Sequence, residues 1–144
     1  MHKLNPYYVV GLVDGEGSFT VYVRHPDNIT HPKRRVRIEP KFFLKLIEKD
    51  KEILYSLQNF FGCGKVYFQK DNRPNHQHCY RYEVHNRSEL SSIIIPFFKR
   101  YVPLLSSKRK DFEIFSQVME MIEAKIHMNE SGLKKLFELT RAMH

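Results

Sequence analysis

Two acidic residues that alternate with glycines at the end of an apolar run are the residues of this chain best placed to do chemistry. Residues 9–19 read Val-Val-Gly-Leu-Val-Asp-Gly-Glu-Gly-Ser-Phe. If the apolar run is a helix, its C-terminus presents unpaired carbonyl oxygens and partial negative charge, to which Glu16 adds a carboxylate. Hard oxygen donors of this kind suit a divalent cation such as Mg²⁺. The segment therefore predicts a metal site at a helix end.

The same run carries Gly11 and Gly15, whose spacing places both on one face of a helix. A face without side chains lets a second backbone approach closely, which favours an interface. The alternative is a buried helix that ends in a glycine cap, which is a common arrangement.

The composition favours a polyanionic partner. The chain has 144 residues, the size of one domain spanning 1–144, and its 24 Lys and Arg outweigh 16 Asp and Glu to give a net charge of +8. No apolar stretch approaches the roughly 20 residues of a membrane span, so no membrane partner is expected. The cysteines are Cys63 and Cys79 alone, which argues against a disulfide framework and for a reducing, intracellular compartment.

Hydrophobic spacing predicts the elements that must position these residues. Apolar residues alternate in some segments and recur at helical spacing in others, in the order αββ, αββ, then helices. The predicted bounds are a helix from Asn5 to about Val13 or Asp14, strands at 18–24 and 34–47, a helix at 49–61, strands at 65–69 and 80–85, a helix that starts at Asn86 or Ser88 and breaks near Pro96, and helices at about 108–126 and 131–143. Two αββ units predict an α+β fold in which a four-stranded antiparallel sheet carries helices on one face.

The uncovered face of that sheet and its flanking loops are rich in cationic, amide and tyrosine side chains. Cations neutralise phosphates, arginine pairs with guanine, and asparagine or glutamine pairs with adenine, so this face predicts DNA binding in the major groove. The predicted DNA contacts are Tyr22, Arg24, His25, Asn28, Thr30, Lys33, Arg35, Arg37, Lys41, Lys45, Tyr67, Gln69, Lys70, Arg73, Asn75, Gln77 and Arg81. The alternative is that lysine and arginine only keep the sheet surface soluble, and a strand phase shifted by one residue would exchange the two faces.

Residues 11–19 closely resemble the signature of the LAGLIDADG homing endonucleases, and supporting similarity extends over residues 42–64, 96–112 and 127–133. The resemblance implies an αββαββα fold with a saddle-shaped sheet. It also implies a Mg²⁺-dependent, site-specific endonuclease, with Mn²⁺ as a substitute, that cuts both strands of a long, near-palindromic DNA target and leaves 3′ overhangs. Because the chain shows one copy of the motif, the resemblance implies a homodimer whose seam comprises Val10, Gly11, Asp14 and Gly15.

The resemblance also assigns roles to individual residues. Glu16 takes the position of the metal-binding acid, and Gly15 contributes a backbone carbonyl to the same metal. Asp14 supports the helix end. Glu48 matches a polar residue that orients the attacking water, and Lys108 matches a basic residue near the cleaved phosphates.

The sequence departs from the family at one basic position. An arginine that some relatives carry just after the second strand has no clear equivalent, because Glu52 occupies the nearest matching place. Its role passes to Lys49 or Lys51, or is absent.

Two rival functions on the same fold remain open. One is an RNA-binding maturase that assists splicing of its host intron, and the other is a DNA-binding protein that has lost cleavage. Glu16 favours cleavage, because binding alone does not require an acid pressed against phosphates. Such proteins occur in organelles and microbes, so a chloroplast, a mitochondrion and a microbial cytoplasm are all open locations.

A zinc site is a further alternative. His76, His78 and Cys79, with Cys63 upstream, are ligand types that zinc uses, although their spacing matches no common finger. The competing interpretation is a polar loop with two small buried thiols.

Overall fold

The computed structural model describes residues 1–24 and 36–144. Its strands are β1 (Gly17–Arg24), β2 (Arg37–Ile47), β3 (Lys65–Gln69) and β4 (Cys79–Val84). They form one four-stranded antiparallel sheet in the order β1-β2-β4-β3, which confirms the predicted α+β architecture. The helices are α1 (Pro6–Glu16), α2 (Lys51–Phe61), α3 (Arg87–Glu89), α4 (Ile95–Arg100), α5 (Ser106–Glu123) and α6 (Glu130–Arg141).

Part of the predicted binding surface lies outside the described residues. This applies to the predicted loop at 25–33, to the side chain of Arg24, and to His25, Asn28, Thr30, Lys33 and Arg35. Within the ranges that the structure covers, no helix combines the length and the apolar character that a bilayer span requires.

Helix α1 begins as its sequence predicts. The side chain of Asn5 accepts a hydrogen bond from the backbone N–H of Tyr7 at 2.7 Å, and Pro6 occupies the first helical turn, where its missing N–H costs nothing. Val9 and Val13 are fully buried and fasten the helix to the core. The cap therefore fixes where the motif helix starts, and the two valines fix which face it buries.

Gly17 lies where α1 passes directly into β1. A Cβ atom here would lie 2.7 Å from Cγ1 of Val13 and 2.9 Å from the carbonyl oxygen of Val13, closer than van der Waals contact allows. The N–H of Gly17 donates to that same carbonyl and closes the helix. Glu16 is therefore the last helical residue, beyond the end predicted at Val13 or Asp14.

The sheet buries one face, in the phase that the sequence predicts. On β2 the even positions Ile38, Phe42 and Leu44 are buried, while the odd positions Arg37 and Lys45 are exposed. Strong alternation fixes register, because a shift by one residue would place every apolar side chain in solvent. The basic side chains are therefore held on the open face.

An aromatic core holds β1 against the helices. The ring centroid of Phe19 lies 5.1 Å from that of Phe42 on β2, 5.3 Å from Phe98 on α4, and 5.2 and 5.5 Å from Phe112 and Phe115 on α5. Aromatic clusters of this kind bury large apolar areas and restrict how their elements move relative to one another. Because Phe19 follows Glu16 by three residues, the cluster also fixes the end of α1.

The predicted break near Pro96 is wrong. Asn86 caps α3 through the N–H of Glu89 as predicted, but the chain stays helical through a π-helical turn at Leu90–Ile94 and on through α4 to Arg100. Proline breaks a helix because it lacks an N–H and its ring crowds the preceding turn. Here Pro96 lies in the first turn after the wider π-helical segment, where that N–H is not required.

The two last helices differ from their predicted bounds by a few residues. Helix α5 starts at Ser106 and ends at Glu123, because Lys125 adopts a left-handed conformation (φ 59°) that reverses the chain. Asn129 then caps α6 by accepting a hydrogen bond from the N–H of Gly132 at 2.7 Å. Local backbone geometry, rather than hydrophobic spacing, sets both ends.

Candidate active site and nucleic-acid interface

The metal-binding acid predicted from the sequence lies at an open edge of the molecule. Glu16 is exposed at the end of α1, next to Gly15 and the start of the sheet. Along the same helix Tyr8 is 48% exposed, and a Cβ atom added to Gly11 or Gly15 would meet no atom within 4 Å. Tyr8, Gly11 and Gly15 recur at helical spacing, so α1 presents an open stripe with almost no polar side chain.

A concave pocket beside Glu16 collects residues from three parts of the chain. Its lining residues are Glu16, then Lys45, Leu46 and Ile47 at the end of β2 with Asp50 from the turn that follows, and finally Asp71, Arg73, Asn75, His76 and Gln77 of the β3–β4 loop with Cys79 at the start of β4. The structure thus brings together the predicted acid and the predicted DNA contacts Lys45, Arg73, Asn75 and Gln77. Asp50 and Asp71 were not predicted as site residues, because nothing in their local sequence places them near Glu16.

The β3–β4 loop is ordered by its own ion pair. Arg73 Nη2 lies 2.7 Å from Asp71 Oδ2, and the Arg73 Nε donates to Asp71 Oδ1 at 3.0 Å. These bonds hold the pKa of Asp71 well below its usual range and raise that of Arg73. The backbone N–H of Asp71 also donates to Nδ1 of His78 at 3.2 Å, so the loop has a defined shape before any partner binds.

The predicted basic residue of the site reaches the end of the motif helix. Lys108, on the first turns of α5, is half-buried and donates a hydrogen bond through Nζ to the carbonyl oxygen of Gly17. Gly17 follows Glu16 directly. The ammonium group of Lys108 therefore lies beside the end of α1, where Glu16 is the last helical residue. An ammonium group there suits the neutralisation of a phosphate.

Asp14 links the last turn of α1 to the segment before α5. Its carboxylate accepts hydrogen bonds from the backbone N–H groups of Leu104 and Leu105, at 2.9 and 3.4 Å. Arg109 holds the same turn from the other side, through Nε to the Pro103 carbonyl and Nη2 to the Leu104 carbonyl, both at 3.1 Å. Sequence reasoning missed Arg109, because its partners are carbonyl oxygens and leave no pattern in side-chain types.

Glu48 does not line the pocket around Glu16. It opens a short 3₁₀ turn, Glu48–Asp50, where its backbone N–H donates to the carbonyl of His78 at 3.1 Å and its side chain is exposed. Asp50, at the end of the same turn, lines the pocket. The two acids are close in sequence, but only one of them borders the pocket beside Glu16.

The residues near the position of the missing arginine all lie outside the pocket beside Glu16. Glu52 accepts a hydrogen bond from the Met1 amino group at 2.9 Å, and this bond lowers the pKa of Glu52. Lys51 Nζ lies 5.2 Å from the ring centroid of Tyr80, on the helix-covered side of the sheet. Lys49 is exposed in the 3₁₀ turn. None of these three side chains lines the pocket.

Strand register places the predicted contacts of the open face in rows. Lys45 on β2 lies opposite Arg81 on β4, which lies opposite Tyr67 on β3. Toward the other edge, Lys41 pairs with Thr20, and Tyr22 is 56% exposed. The predicted members that share this face are Tyr22, Arg37, Lys41, Lys45, Tyr67, Gln69 and Arg81. Lys70, Arg73, Asn75 and Gln77 extend it as exposed residues of the loop beside Glu16.

The zinc alternative is not supported by the geometry. Cys63 is buried just before β3, where its carbonyl accepts a hydrogen bond from the Tyr82 hydroxyl at 2.9 Å, whereas Cys79 pairs with Gln69 at the far end of that strand. Burial raises the pKa of the Cys63 thiol, which makes it a poor metal ligand. Over residues 1–24 and 36–144, no group of three His, Cys, Asp or Glu side chains lies close enough to hold a metal.

Comparison with known proteins identifies the family. The model of the LAGLIDADG endonuclease family matches residues 9–119, so the chain belongs to this family. The match includes most of α1, the whole described sheet and most of α5. The resemblance seen in the motif is thereby confirmed.

Two relatives found by sequence comparison are also named as endonucleases. Probable intron-encoded endonuclease 2 of Neurospora crassa is 30% identical over 138 residues, which cover 94% of this chain and 28% of that protein. Homing endonuclease I-ApeII of Aeropyrum pernix is 30% identical over 112 residues, covering 78% of this chain and 60% of that protein. The chain spans about a quarter of the length of the Neurospora relatives that it matches.

Solved structures confirm the fold. The homing endonuclease I-TnaI superposes with a TM-score of 0.82 at 34% identity, covering 99% of this chain and 90% of that chain. The meganuclease I-SmaMI, crystallised with uncleaveable DNA, superposes with a TM-score of 0.85 at 32% identity, covering 99% of this chain and 46% of that chain. The present chain thus corresponds to nearly all of one structure and to about half of the other.

Proposed function

We propose that this chain is a site-specific DNA endonuclease domain whose active site forms around Glu16 when two such domains meet. The observation that carries the proposal is the position of Glu16. Lys108 binds the carbonyl of the next residue, Gly17, and Glu16 lines one pocket with Lys45 of the sheet and with cationic and amide residues of the β3–β4 loop. A hydrolytic site and a phosphate-binding surface are therefore continuous. The neighbour I-SmaMI has been crystallised with both uncleaved and cleaved DNA.

The open sheet face is the proposed DNA-docking surface. Its rows of lysine, arginine, glutamine and tyrosine lie on a rigid sheet, and the whole chain carries a net charge of +8. A twisted antiparallel sheet can follow the major groove, where base edges are distinguishable. The acids on this face have partners, as in the Arg81–Glu83 pair at 2.8 Å, so they do not leave uncompensated negative charge beneath the phosphates.

Glu16 and the Gly15 carbonyl are the proposed ligands of a divalent cation. An exposed carboxylate next to the last carbonyls of a helix is a set of hard oxygen donors, which fits Mg²⁺ or Mn²⁺. When bound, the metal supplies charge stabilisation to a phosphodiester and activates water for in-line attack. The single chain offers too few ligands among its described residues to close such a site by itself, which is consistent with a site shared between two domains.

Residues near Glu16 are proposed to take the two remaining catalytic roles, which are phosphate neutralisation and orientation of the attacking water. Lys108 neutralises the phosphate at the cleaved bond, and Glu48, or Asp50 from the same turn, orients the attacking water. Asp50 is included because it lines the pocket, which Glu48 does not. Cleavage of both strands then leaves 3′ overhangs.

The open stripe on α1 is the proposed contact with a second domain. An exposed helix face made of Tyr8, Gly11 and Gly15 has little side-chain bulk, so it lets another helix approach closely. A homodimer supplies that second helix and matches a near-palindromic target. The match to half of the I-SmaMI chain raises a second arrangement, in which a linked domain takes the place of the second copy.

A cleavage selection tests the proposal. The purified chain is incubated with a library of random DNA duplexes and Mg²⁺, and the cut ends are sequenced. We expect a long, near-palindromic consensus with 3′ overhangs, no cutting in EDTA, and sedimentation of two chains per duplex. Cutting without divalent metal, or no cutting with salt-sensitive DNA binding intact, would contradict the nuclease assignment. Preferential binding of structured intron RNA over DNA would instead support the maturase.

A further inference from the structure

Arg81 lies on an inner strand of the open sheet face, where it lines a concavity with Lys41 and with residues from the 140–144 segment. It lies on β4 between Lys45 of β2 and Tyr67 of β3, and its side chain is 17% exposed. Its guanidinium carbon lies 3.6 Å from the ring centroid of Phe43, so the cation stacks on the aromatic face. Arg81 is therefore held in place to a degree that is unusual for a surface arginine.

Glu83 fixes the same guanidinium from a second direction. Arg81 Nε donates to Glu83 Oε1 at 3.0 Å, and Nη2 lies 2.8 Å from the same oxygen. The Glu83 side chain is only 11% exposed and also lies near His85 Nδ1 (3.2 Å) and the Tyr67 hydroxyl (3.5 Å). These partners occupy the carboxylate and compensate its charge. Glu83 therefore serves to hold Arg81 rather than to contact DNA itself.

The bonds to Glu83 involve Nε and Nη2 of Arg81 and leave Nη1 outside this pairing. One N–H group of Nη1 and the outer N–H group of Nη2 point in parallel from the end of the guanidinium, and such a pair can donate to O6 and N7 of guanine in the major groove. A side chain already fixed in one conformation loses less entropy when it makes such a pair. An exposed lysine such as Lys45 can only approach as a flexible point charge.

We propose that Arg81 reads a guanine in the DNA half-site bound by this chain, and that Glu83 and Phe43 are positioning residues for that contact. The inference rests on the proposed DNA-binding function and deepens it by naming a base. The same cluster in a purely structural role would hold the sheet together without affecting base preference. The two roles predict different results for a conservative variant. Base preference changes if the cluster reads DNA and stays the same if the cluster is only structural.

The test is selection of bound duplexes from a random library, with Ca²⁺ in place of Mg²⁺ so that binding is read without cutting. We expect the unchanged chain to select guanine at one position of each half-site. Arg81→Lys keeps the charge but should lose that preference by about tenfold or more, with the other positions unchanged. Glu83→Gln and Phe43→Leu should weaken the same single position. Lys45→Gln is the matched control, and it should lower affinity for all sequences while retaining the guanine.

The outcomes distinguish failure of the guanine assignment from failure of the proposed DNA-binding function. If Arg81→Lys or Glu83→Gln is folded by circular dichroism and still selects the same base at every position, the guanine assignment is wrong. A loss of preference spread evenly over the site also contradicts it. If Arg81→Lys does not fold, the nearly isosteric Glu83→Gln decides alone. Failure of the unchanged chain to select any duplex overturns the proposed DNA-binding function itself.

Discussion

The carboxylate of Asp14 accepts a hydrogen bond from the backbone N–H of Leu104 at 2.9 Å, which joins the last turn of the motif helix to a segment 90 positions further along the chain. Lys108 makes a second link between the same two regions by donating to the Gly17 carbonyl. Glu16 lies between these two attachments. The relative position of the acid and the lysine is therefore set by hydrogen bonds on both sides of Glu16.

Replacing Asp14 should slow cleavage more than it weakens binding. Asp14→Asn removes the charge that favours two hydrogen bonds with the 104–105 backbone, and a shift of about 1 Å at a catalytic centre can cost on the order of 100-fold in rate. We expect DNA affinity within about twofold of normal, as measured by fluorescence anisotropy, because the sheet face is untouched. Arg109→Lys, which cannot bridge both carbonyls in the same way, should show a weaker version of the effect.

The matched control is Glu113→Gln, an exposed acid on α5. It should leave the single-turnover cleavage rate unchanged. An Asp14→Asn protein that cuts at the normal rate would show that the link to Leu104 does not position the site.

Replacing Glu16 should separate binding from cleavage. Glu16→Gln keeps the shape of the side chain but removes the charge that holds the metal. Because a metal supplies several kcal/mol of charge stabilisation, the cutting rate should fall by about a thousandfold or more. Binding should be retained, since removing an acid near phosphates lowers repulsion. Supercoiled plasmid carrying the target measures the first quantity and gel shift the second; normal cutting by this variant would exclude Glu16 as a metal ligand.

Filling the glycine stripe should prevent association without unfolding the chain. Within one chain a Cβ atom on Gly11 has no neighbour within 4 Å, and an alanine there should stabilise the helix by up to about 1 kcal/mol. Gly11→Leu should therefore fold normally but obstruct a second helix. Sedimentation velocity should show monomers, whereas Gln117→Leu, an exposed position on α5, should associate like the unchanged chain. Unaltered association of Gly11→Leu would place the interface elsewhere.

Acid should destabilise the C-terminal helices through His127. Burial, together with the nearby Arg87 cation, lowers the pKa of His127 below its usual value, and its buried Nδ1 finds no hydrogen-bond partner among the residues that the structure describes. The unfolded chain then binds a proton more readily than the folded chain, so the free energy of unfolding falls as pH drops below about 6.5 and levels off at the folded pKa. Urea titrations of His127→Gln should show a shallower pH dependence; an identical pH profile would exclude His127 as the group responsible.

Much of the architecture could be predicted because it is encoded locally. Asn5 and Pro6 define the start of α1 through cap geometry, and the alternation on β2 assigns each side chain to a face. Gly62 ends α2 in the left-handed conformation (φ 71°) that glycine adopts without strain. The break predicted at Pro96 is wrong because a π-helical turn precedes the proline and makes it tolerable, and no residue pattern signals that turn.

The sequence alone determined which residue types were available for chemistry: two acids at a helix end, a glycine stripe and a basic sheet face. Tertiary structure decided which of them meet. Asp50 rather than Glu48 lines the Glu16 pocket, Asp14 binds the turn before α5, and Arg81 is held between Phe43 and Glu83. Helix and strand periodicities report only a few neighbouring positions, whereas these contacts arise when strands pair and distant segments pack, and such contacts leave no local pattern.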